Sequence, residues 1–135
     1  MAGYSTTPLS KKLGIKEGFN LYVKNPPDNY LDLVSPLPKE VGLLQKPGKE
    51  LDIAHVFVKK KTDLETSVKS LLNRIKPAGM IWVSWPKKAS KVATDITEDT
   101  IREVALPLGL VDVKVCAVDE VWSGLKLVIR KENRK

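Results

Sequence analysis

The sequence is poor in the residues on which disulfides, metal sites and aromatic surfaces depend. It has one cysteine, Cys116, and one histidine, His55, and aromatic residues make up 6% of its 135 positions. A single cysteine excludes an intramolecular disulfide, and one histidine with one cysteine cannot supply the nitrogen and sulfur ligands of a zinc site. The sequence therefore predicts no metal site.

Long apolar runs are also absent. No segment approaches the roughly 18 apolar residues that span a bilayer, and Met1 to Leu13 lacks the apolar region of a signal peptide. The hydrophobic fraction of 42% and the charged fraction of 29% are ordinary for a globular protein. We expect one cytoplasmic domain over residues 1–135, with no membrane contact and a lead-in segment at 1–18.

Negative charge is in short supply, since 23 lysines and arginines oppose 16 acidic residues and leave a net charge of +7. This excess favours an anionic partner, either a small ligand or an acidic protein. Only four of the cations are arginines, whose planar fork suits base recognition, so we expect any nucleic-acid binding to be independent of base sequence.

Hydrophobic periodicity and turn residues predict strands that alternate with helices. The predicted strands are Phe19–Val23, Val41–Leu44, Leu51–Val58, Met80–Trp85, Asp112–Val118 and Leu125–Arg130, and the predicted helices are a turn near Leu9–Leu13, Asp28–Val34, one after Thr62 and one from Thr97 to Leu108. Thr62 to Glu65 has the spacing of a capping box, and Pro77 with Gly79 is expected to end that helix.

This order predicts an α/β fold of Rossmann-like, three-layer type, with a mostly parallel sheet and an antiparallel C-terminal hairpin. The hairpin follows because the six residues between the last two strands are too few for a parallel crossover. The segment 45–50 is also too short for a crossover helix. The strands at Val41–Leu44 and Leu51–Val58 therefore form either a local hairpin or two parallel strands joined by a bare extended segment.

Two stretches carry a resemblance to known proteins. The run from Asp52 to Val56, and Ile75-Lys76-Pro77-Ala78-Gly79 before the strand at Met80, resemble the second half of Rossmann-like methyltransferases that use S-adenosylmethionine. That family carries a leucine-lysine-proline-glycine-glycine turn before a central strand, and its sheets end in an antiparallel hairpin. The resemblance implies the same fold and the same cofactor.

A second resemblance covers nearly the whole chain. Gly3-Tyr4-Ser5, Lys11 to Lys16, Trp85-Pro86-Lys87-Lys88-Ala89-Ser90, Ala93-Thr94-Asp95, Val115 to Glu120 and Trp122-Ser123-Gly124 look like a bacterial family of small proteins of unknown function. This resemblance implies no activity and supplies no catalytic residues.

The cofactor site is where the sequence departs from the methyltransferase pattern. Those enzymes have a glycine-rich turn after the first strand, which lets the backbone approach the ligand. Here Lys24-Asn25-Pro26-Pro27-Asp28 occupies that position. Because proline has no N–H and adds bulk, we expect S-adenosylmethionine not to bind in the usual pose.

The main candidate site is the loop after the strand at Met80–Trp85. Ligands of α/β sheets lie beyond the carboxyl ends of the strands, and this loop combines lysines, hydroxyl groups and a helix start that together suit a phosphate or carboxylate. The alternative is a solvated loop whose Asp95 or Thr97 caps the following helix. The candidate residues are Trp85, Lys87, Lys88, Ser90, Lys91, Thr94, Asp95 and Thr97.

A second candidate group lies in the C-terminal hairpin loop. Asp119 and Glu120 are candidates for an acid or base beside an aromatic platform at Trp122, and the alternative is an ordinary polar turn. His55 and Cys116 lie inside predicted strands, and we interpret both as core residues.

Three functions follow from these residues. The first is a non-catalytic module that binds a small anionic ligand or an acidic partner through the lysine-rich loop. The second is an S-adenosylmethionine-dependent methyltransferase-like enzyme with a non-standard cofactor site. The third is non-specific nucleic-acid binding. The absence of a nucleophile elbow or a phosphate-binding glycine loop favours the binding module.

Overall fold

The computed structural model describes residues 8–134. The helices are α1 Leu9–Leu13, α2 Tyr30–Val34, α3 Lys61–Leu72 and α4 Glu98–Ala105, and the strands are β1 Asn20–Lys24, β2 Gly42–Leu44, β3 Leu51–Phe57, β4 Ile75–Pro86, β5 Leu110–Ala117 and β6 Trp122–Ile129. The predicted motif at Gly3-Tyr4-Ser5 lies outside the described residues. Among the described residues, no helix is both long enough and apolar enough to cross a membrane.

The six strands form one sheet in the order β2-β1-β3-β4-β6-β5. The pairs β1·β2, β1·β3 and β3·β4 are parallel, and β6 runs antiparallel to both of its neighbours. β5 therefore points in the same direction as β4. This topology confirms the predicted α/β fold with a mostly parallel sheet and an antiparallel C-terminal hairpin.

The structure has the second of the two arrangements that the sequence left open, two parallel strands joined by an extended segment. β2 and β3 are parallel, but each pairs with β1, which lies between them. The segment 45–50 crosses over β1 without a helix. The local hairpin is therefore wrong, and the two parallel strands do not pair directly because β1 separates them.

Helices cover both faces of the sheet and bury its apolar side chains in two clusters. On one face, Leu64 and Val68 of α3 and Ile101 of α4 pack on the strands. On the other face, Leu13 of α1 and Val34 of α2 do the same. All seven residues of β3 are buried, which confirms the prediction from its nearly continuous apolar run.

Helix α3 does not begin as predicted. Its N-cap is Lys60, and no neighbouring side chain forms a capping hydrogen bond. The predicted capping box of Thr62 and Glu65 is therefore wrong. The N–H of Lys61 instead donates to the carboxylate of Asp95, over 2.7 Å. A side chain 34 positions away satisfies an N-terminal amide that the local sequence leaves free.

Pro77 and Gly79 do not end helix α3, because α3 stops at Leu72 and both residues lie within β4. The register between β3 and β4 shifts at this point. A Cβ on Gly79 would approach the carbonyl oxygen of Leu51 to 2.9 Å, so only glycine fits there without a shift of the backbone. The apparent helix stop is a strand irregularity.

The end of helix α4 is as predicted. The helix passes into a 3₁₀ turn at Leu106–Leu108, which contains Pro107, and Gly109 ends it with a φ of 86°. Thr97 caps its start, since its hydroxyl accepts the N–H of Thr100 over 3.2 Å.

Candidate functional site

The carboxyl edge of the sheet collects the loops that can hold a ligand. Because β1 to β5 point in one direction, the turns after β1, β3 and β4 and the β5–β6 hairpin all lie at this edge. The chain leaves β1 towards β2 on one side and β3 lies on the other, so the topological switch point is between β1 and β3. Open α/β sheets bind ligands at such points. Three grooves occur at this edge.

The first, the β1–β2 groove, has a volume of about 580 Å³ and runs along the carboxyl ends of these two strands. Its walls include Tyr22, the turn Asn25–Asp28, Leu31 of α2, Leu43 of β2 and Gln45. The side chains of Leu31 and Leu43 are 54% and 40% exposed, which is unusual for leucine. This groove therefore presents an apolar surface to solvent.

The turn after β1 separates this groove from the next. Asn25 has a left-handed backbone with a φ of 54°, and Pro26 and Pro27 follow it. These three residues line both the β1–β2 groove and a second one, the β1–β3 groove, which has a volume of about 430 Å³. Lys59, which follows β3, and Trp122, at the start of β6, complete the second groove at the switch point.

Under the β1–β3 groove, four rings form a column that leads into the core. The ring of Trp122 meets Phe57 edge-on, with 5.0 Å between centroids, and Phe57 stacks on His55 at 4.4 Å. Tyr30 contacts both of these inner rings edge-on. The column fixes Trp122 on a rigid support.

His55 is fully buried and both of its ring nitrogens have partners. The hydroxyl of Tyr30 lies 2.9 Å from Nδ1, and the hydroxyl of Ser84 lies 2.7 Å from Nε2. Burial lowers the pKa of His55 to about 3, so the imidazole is neutral at physiological pH. Ser84 is also fully buried, so this Ser–His pair is closed to substrates and serves the core.

The third groove, the lysine-loop groove, follows β4 and has a volume of about 640 Å³. It brings together six of the predicted site residues, namely Trp85, Lys87, Lys88, Lys91, Thr94 and Thr97. Its sides also include the apolar residues Val92 and Ile96 and the carboxylate of Glu98. Lys88 and Lys91 are exposed.

Most polar side chains of this loop have partners within the protein. The ammonium group of Lys87 donates to the carbonyl of Asp119 over 2.6 Å. The hydroxyl of Ser90 donates to the carbonyl of Lys87, and that of Thr94 donates to the carbonyl of Lys59, each over 2.6 Å. These hydrogen bonds fix the loop against the hairpin and against the segment after β3.

The hairpin loop is held in a similar way. The carboxylate of Asp119 accepts the N–H groups of Val121 and Trp122, each over 2.8 Å, and this fixes Trp122. Glu120 is exposed. Asp119, Glu120, Ser90 and Asp95 do not line any of the three grooves. Of the eleven predicted residues, six line the lysine-loop groove, Trp122 lines the β1–β3 groove, and these four line none.

Two sets of groove residues are absent from the sequence-based candidates. Asn25, Gln45, Lys59 and Lys60 directly follow strands that the sequence does predict, so the rule that ligands bind beyond strand ends could have found them. The exposed leucines of the β1–β2 groove leave no such signal, because an apolar residue in a predicted element is normally buried.

Cys116 of β5 is half-buried, and burial raises the pKa of its thiol, which keeps it protonated and unreactive near neutral pH. Within residues 8–134, no three histidine, cysteine, aspartate or glutamate side chains come together in an arrangement that could hold a metal ion.

No protein-family model matches the sequence, and no curated protein is similar enough to count as a relative. Solved structures do match. A SAM-dependent methyltransferase from Aquifex aeolicus aligns over 90% of this chain and 88% of its own, with a TM-score of 0.64 and 13% identity. The fold is that of the Rossmann-like methyltransferases.

Two further structures with the methyltransferase fold were solved with the cofactor. Magnesium protoporphyrin IX methyltransferase from Synechocystis, with bound SAM, has a TM-score of 0.60 at 8% identity and aligns over 90% of this chain and 76% of its own. Aeropyrum pernix fibrillarin, with natively bound S-adenosyl-L-methionine, has a TM-score of 0.57 at 13% identity and aligns over 93% and 70%. At these identities the likeness establishes the fold alone.

Proposed function

We propose that this chain is a methyltransferase-like protein with a non-standard cofactor site, which binds an adenosyl ligand in the β1–β2 groove. The observation that carries the proposal is the pair of exposed leucines, Leu31 and Leu43, in a groove at the ligand-binding edge of the sheet. An adenine ring is flat and largely apolar, and its burial against two leucines removes their surface from water.

The fit differs between the two halves of such a ligand. The groove offers apolar walls for the base and the side-chain amides of Asn25 and Gln45 for ribose hydroxyl groups. The turn after β1 is poorly suited to the amino-acid half, because Pro26 and Pro27 cannot donate backbone N–H groups to its carboxylate. We therefore expect recognition to come mainly from the adenosyl half.

This difference defines the first experiment, a calorimetric titration with S-adenosylmethionine, S-adenosylhomocysteine and adenosine. If the adenosyl half dominates, the three dissociation constants agree within about tenfold, which corresponds to about 1.4 kcal/mol. Absence of saturable binding by all three at millimolar concentration contradicts the proposal.

Two variants test whether the adenosyl ligand lies in the β1–β2 groove. Leu43→Glu puts a charge into the β1–β2 groove and is expected to weaken S-adenosylhomocysteine binding by about tenfold or more. Leu106→Glu is the matched control, because Leu106 is 41% exposed and lies outside the three grooves. If the two variants bind S-adenosylhomocysteine with equal affinity, the ligand does not lie in the β1–β2 groove.

A second candidate function is binding of a small anion in the lysine-loop groove. Lys88 and Lys91 line this groove, are exposed, and take part in none of the described ion pairs. Two ammonium groups beside one cavity suit a phosphate or a carboxylate. Lys87 belongs to the loop's own hydrogen bonds and is not needed for the proposal.

The test is the thermal stabilisation of the protein by phosphate, sulfate and citrate. The double variant Lys88→Glu and Lys91→Glu should lose the stabilisation, whereas Lys69→Glu, an exposed position on α3, should keep it. Equal stabilisation of both variants removes this function.

A further inference from the structure

The β1–β3 groove combines features that the two functions above do not use. Trp122, Phe57, Pro26 and Pro27 all line it. Phe57 contacts the ring of Trp122 and is itself stacked on the buried ring of His55. Aromatic and prolyl surfaces about a narrow space suit a flat ring, which stacks with little loss of conformational freedom.

The tryptophan is preorganised for stacking. The backbone N–H of Trp122 donates to the carboxylate of Asp119, and its backbone carbonyl accepts the N–H of Val118 over 3.0 Å. Its ring rests edge-on against Phe57. A side chain fixed by its backbone and by a ring behind it has little entropy left to lose when a ligand binds.

The rim of the groove carries an excess of positive charge. Lys59 and Lys60 line it with one carboxylate, Asp63, and all three residues are exposed. Neither lysine takes part in a described ion pair. The carbonyl of Lys59 accepts the hydroxyl of Thr94 and the N–H of Asp95, so the backbone that carries these lysines is fixed.

We propose that the β1–β3 groove binds a planar aromatic acid, whose ring stacks on Trp122 and whose carboxylate or phosphate meets Lys59 and Lys60. Because the turn Asn25–Pro27 lines both grooves, such a compound would lie directly beside an adenosyl ligand. It is therefore the substrate class that we assign to this protein. The substrate role rests on the proposed function, whereas the binding itself does not.

The experiment compares three compounds by calorimetry. Indole-3-carboxylate is planar and anionic, indole is planar and neutral, and cyclohexanecarboxylate is anionic but not planar. The first should bind about tenfold or more tightly than either of the others, since only it meets both the ring and the lysines. If indole or cyclohexanecarboxylate binds equally well, the proposal is wrong. Benzoate and phenyl phosphate, compared in the same way, identify the preferred anion.

Variants locate the compound. Trp122→Leu should weaken indole-3-carboxylate binding by about tenfold or more, and Trp122→Phe by less than about threefold, because phenylalanine keeps a stacking face. Lys60→Glu should weaken it by about tenfold, with Lys69→Glu, within the helix that Lys60 precedes, as the control. The exposed lysine variants keep the test valid if Trp122→Leu fails to fold. Unchanged binding to Lys60→Glu overturns the proposal.

A parallel titration with S-adenosylhomocysteine separates this inference from the proposed function. If S-adenosylhomocysteine binds but indole-3-carboxylate does not, the aromatic-acid site is wrong and the proposed function stands. If S-adenosylhomocysteine fails to bind while the acid still depends on Trp122 and Lys60, the adenosyl function is wrong and the aromatic-acid site stands.

Discussion

The lysine-loop groove and the β1–β2 groove lie at the same edge of the sheet and use their side chains in opposite ways. In the lysine loop, the hydroxyl groups of Ser90 and Thr94 and the ammonium group of Lys87 all bond to backbone carbonyls. In the β1–β2 groove, the side chains of Asn25 and Gln45 have no hydrogen bond within residues 8–134.

A polar or charged residue in a loop is therefore a weaker indication of a ligand site than a polar group that has no partner within the protein. The lysine loop is richest in hydroxyls, lysines and carboxylates, but most of these groups form hydrogen bonds that hold the loop in place. The groove that is least conspicuous in sequence leaves two amides and two leucines facing solvent. Ligand recognition needs groups that the fold has not already used.

The largest expected effect concerns His55, which lies in the ring column under the β1–β3 groove. Folding lowers the pKa of His55 from 6.5 to about 3, so the unfolded chain binds a proton more readily than the folded one. Its contribution to stability is complete above about pH 6.5 and is lost as the pH falls towards 3. Protonation of His55 in the unfolded chain should lower the free energy of unfolding by about 2 kcal/mol between about pH 6.5 and pH 5.

Urea denaturation at several pH values measures this loss. His55→Gln keeps a polar side chain but has no proton to bind, so its stability should change less over the same interval, even if it is lower throughout. Parallel pH profiles of the two proteins would show that His55 does not carry the effect.

The next effect tests whether Asp95 belongs to the fold or to a ligand site. Asp95→Ala removes the acceptor of the Lys61 N–H and should lower the free energy of unfolding by about 1 kcal/mol. Asp95→Asn should cost only a few tenths of that, because asparagine also caps helices. A variant that binds phosphate less well but unfolds at the parent's urea concentration would make Asp95 a ligand residue.

The smallest effect concerns the turn that separates the two grooves. Pro26→Gly restores one N–H and removes a ring, at a cost of up to about 1 kcal/mol in stability. The affinity for S-adenosylhomocysteine should then rise by about threefold, while that for adenosine stays unchanged, since only the former carries an amino-acid end. An equal change for both ligands would show that the turn does not distinguish them.

Much of the fold is predictable because its signals are local. The fully buried β3 reads as a nearly continuous apolar run, and α4 carries its own cap at Thr97 and its own stop at Gly109. The start of α3 is not predictable in this way, because its capping carboxylate comes from Asp95 in a distant loop. Pro77 and Gly79 mislead as well, because both lie within β4 where its register with β3 shifts, and the backbone of Leu51 leaves no room for a side chain at Gly79.

The candidate site is predictable in position but not in composition. Strand ends locate the loops at Asn25 and Lys59 as well as the lysine loop. Sequence does not reveal which polar groups are free, because the partner of the Thr94 hydroxyl is the carbonyl of Lys59, a backbone atom that folding brings close from 35 positions away. It also gives no reason to expect Leu43 at the surface, since its exposure depends on the groove beside it.

The contacts of Thr94 and Asp95 couple the position of the lysine loop to the hydrogen exchange of a distant backbone amide. Thr94 and Asp95 bond to the carbonyl of Lys59, and Asp95 also holds the amide of Lys61, so the loop and the first turn of α3 are joined at three points. A compound that pulls the loop away must release that amide. Hydrogen–deuterium exchange at Lys61 would then speed up, and occupancy of the loop could be read at a backbone position that no ligand touches.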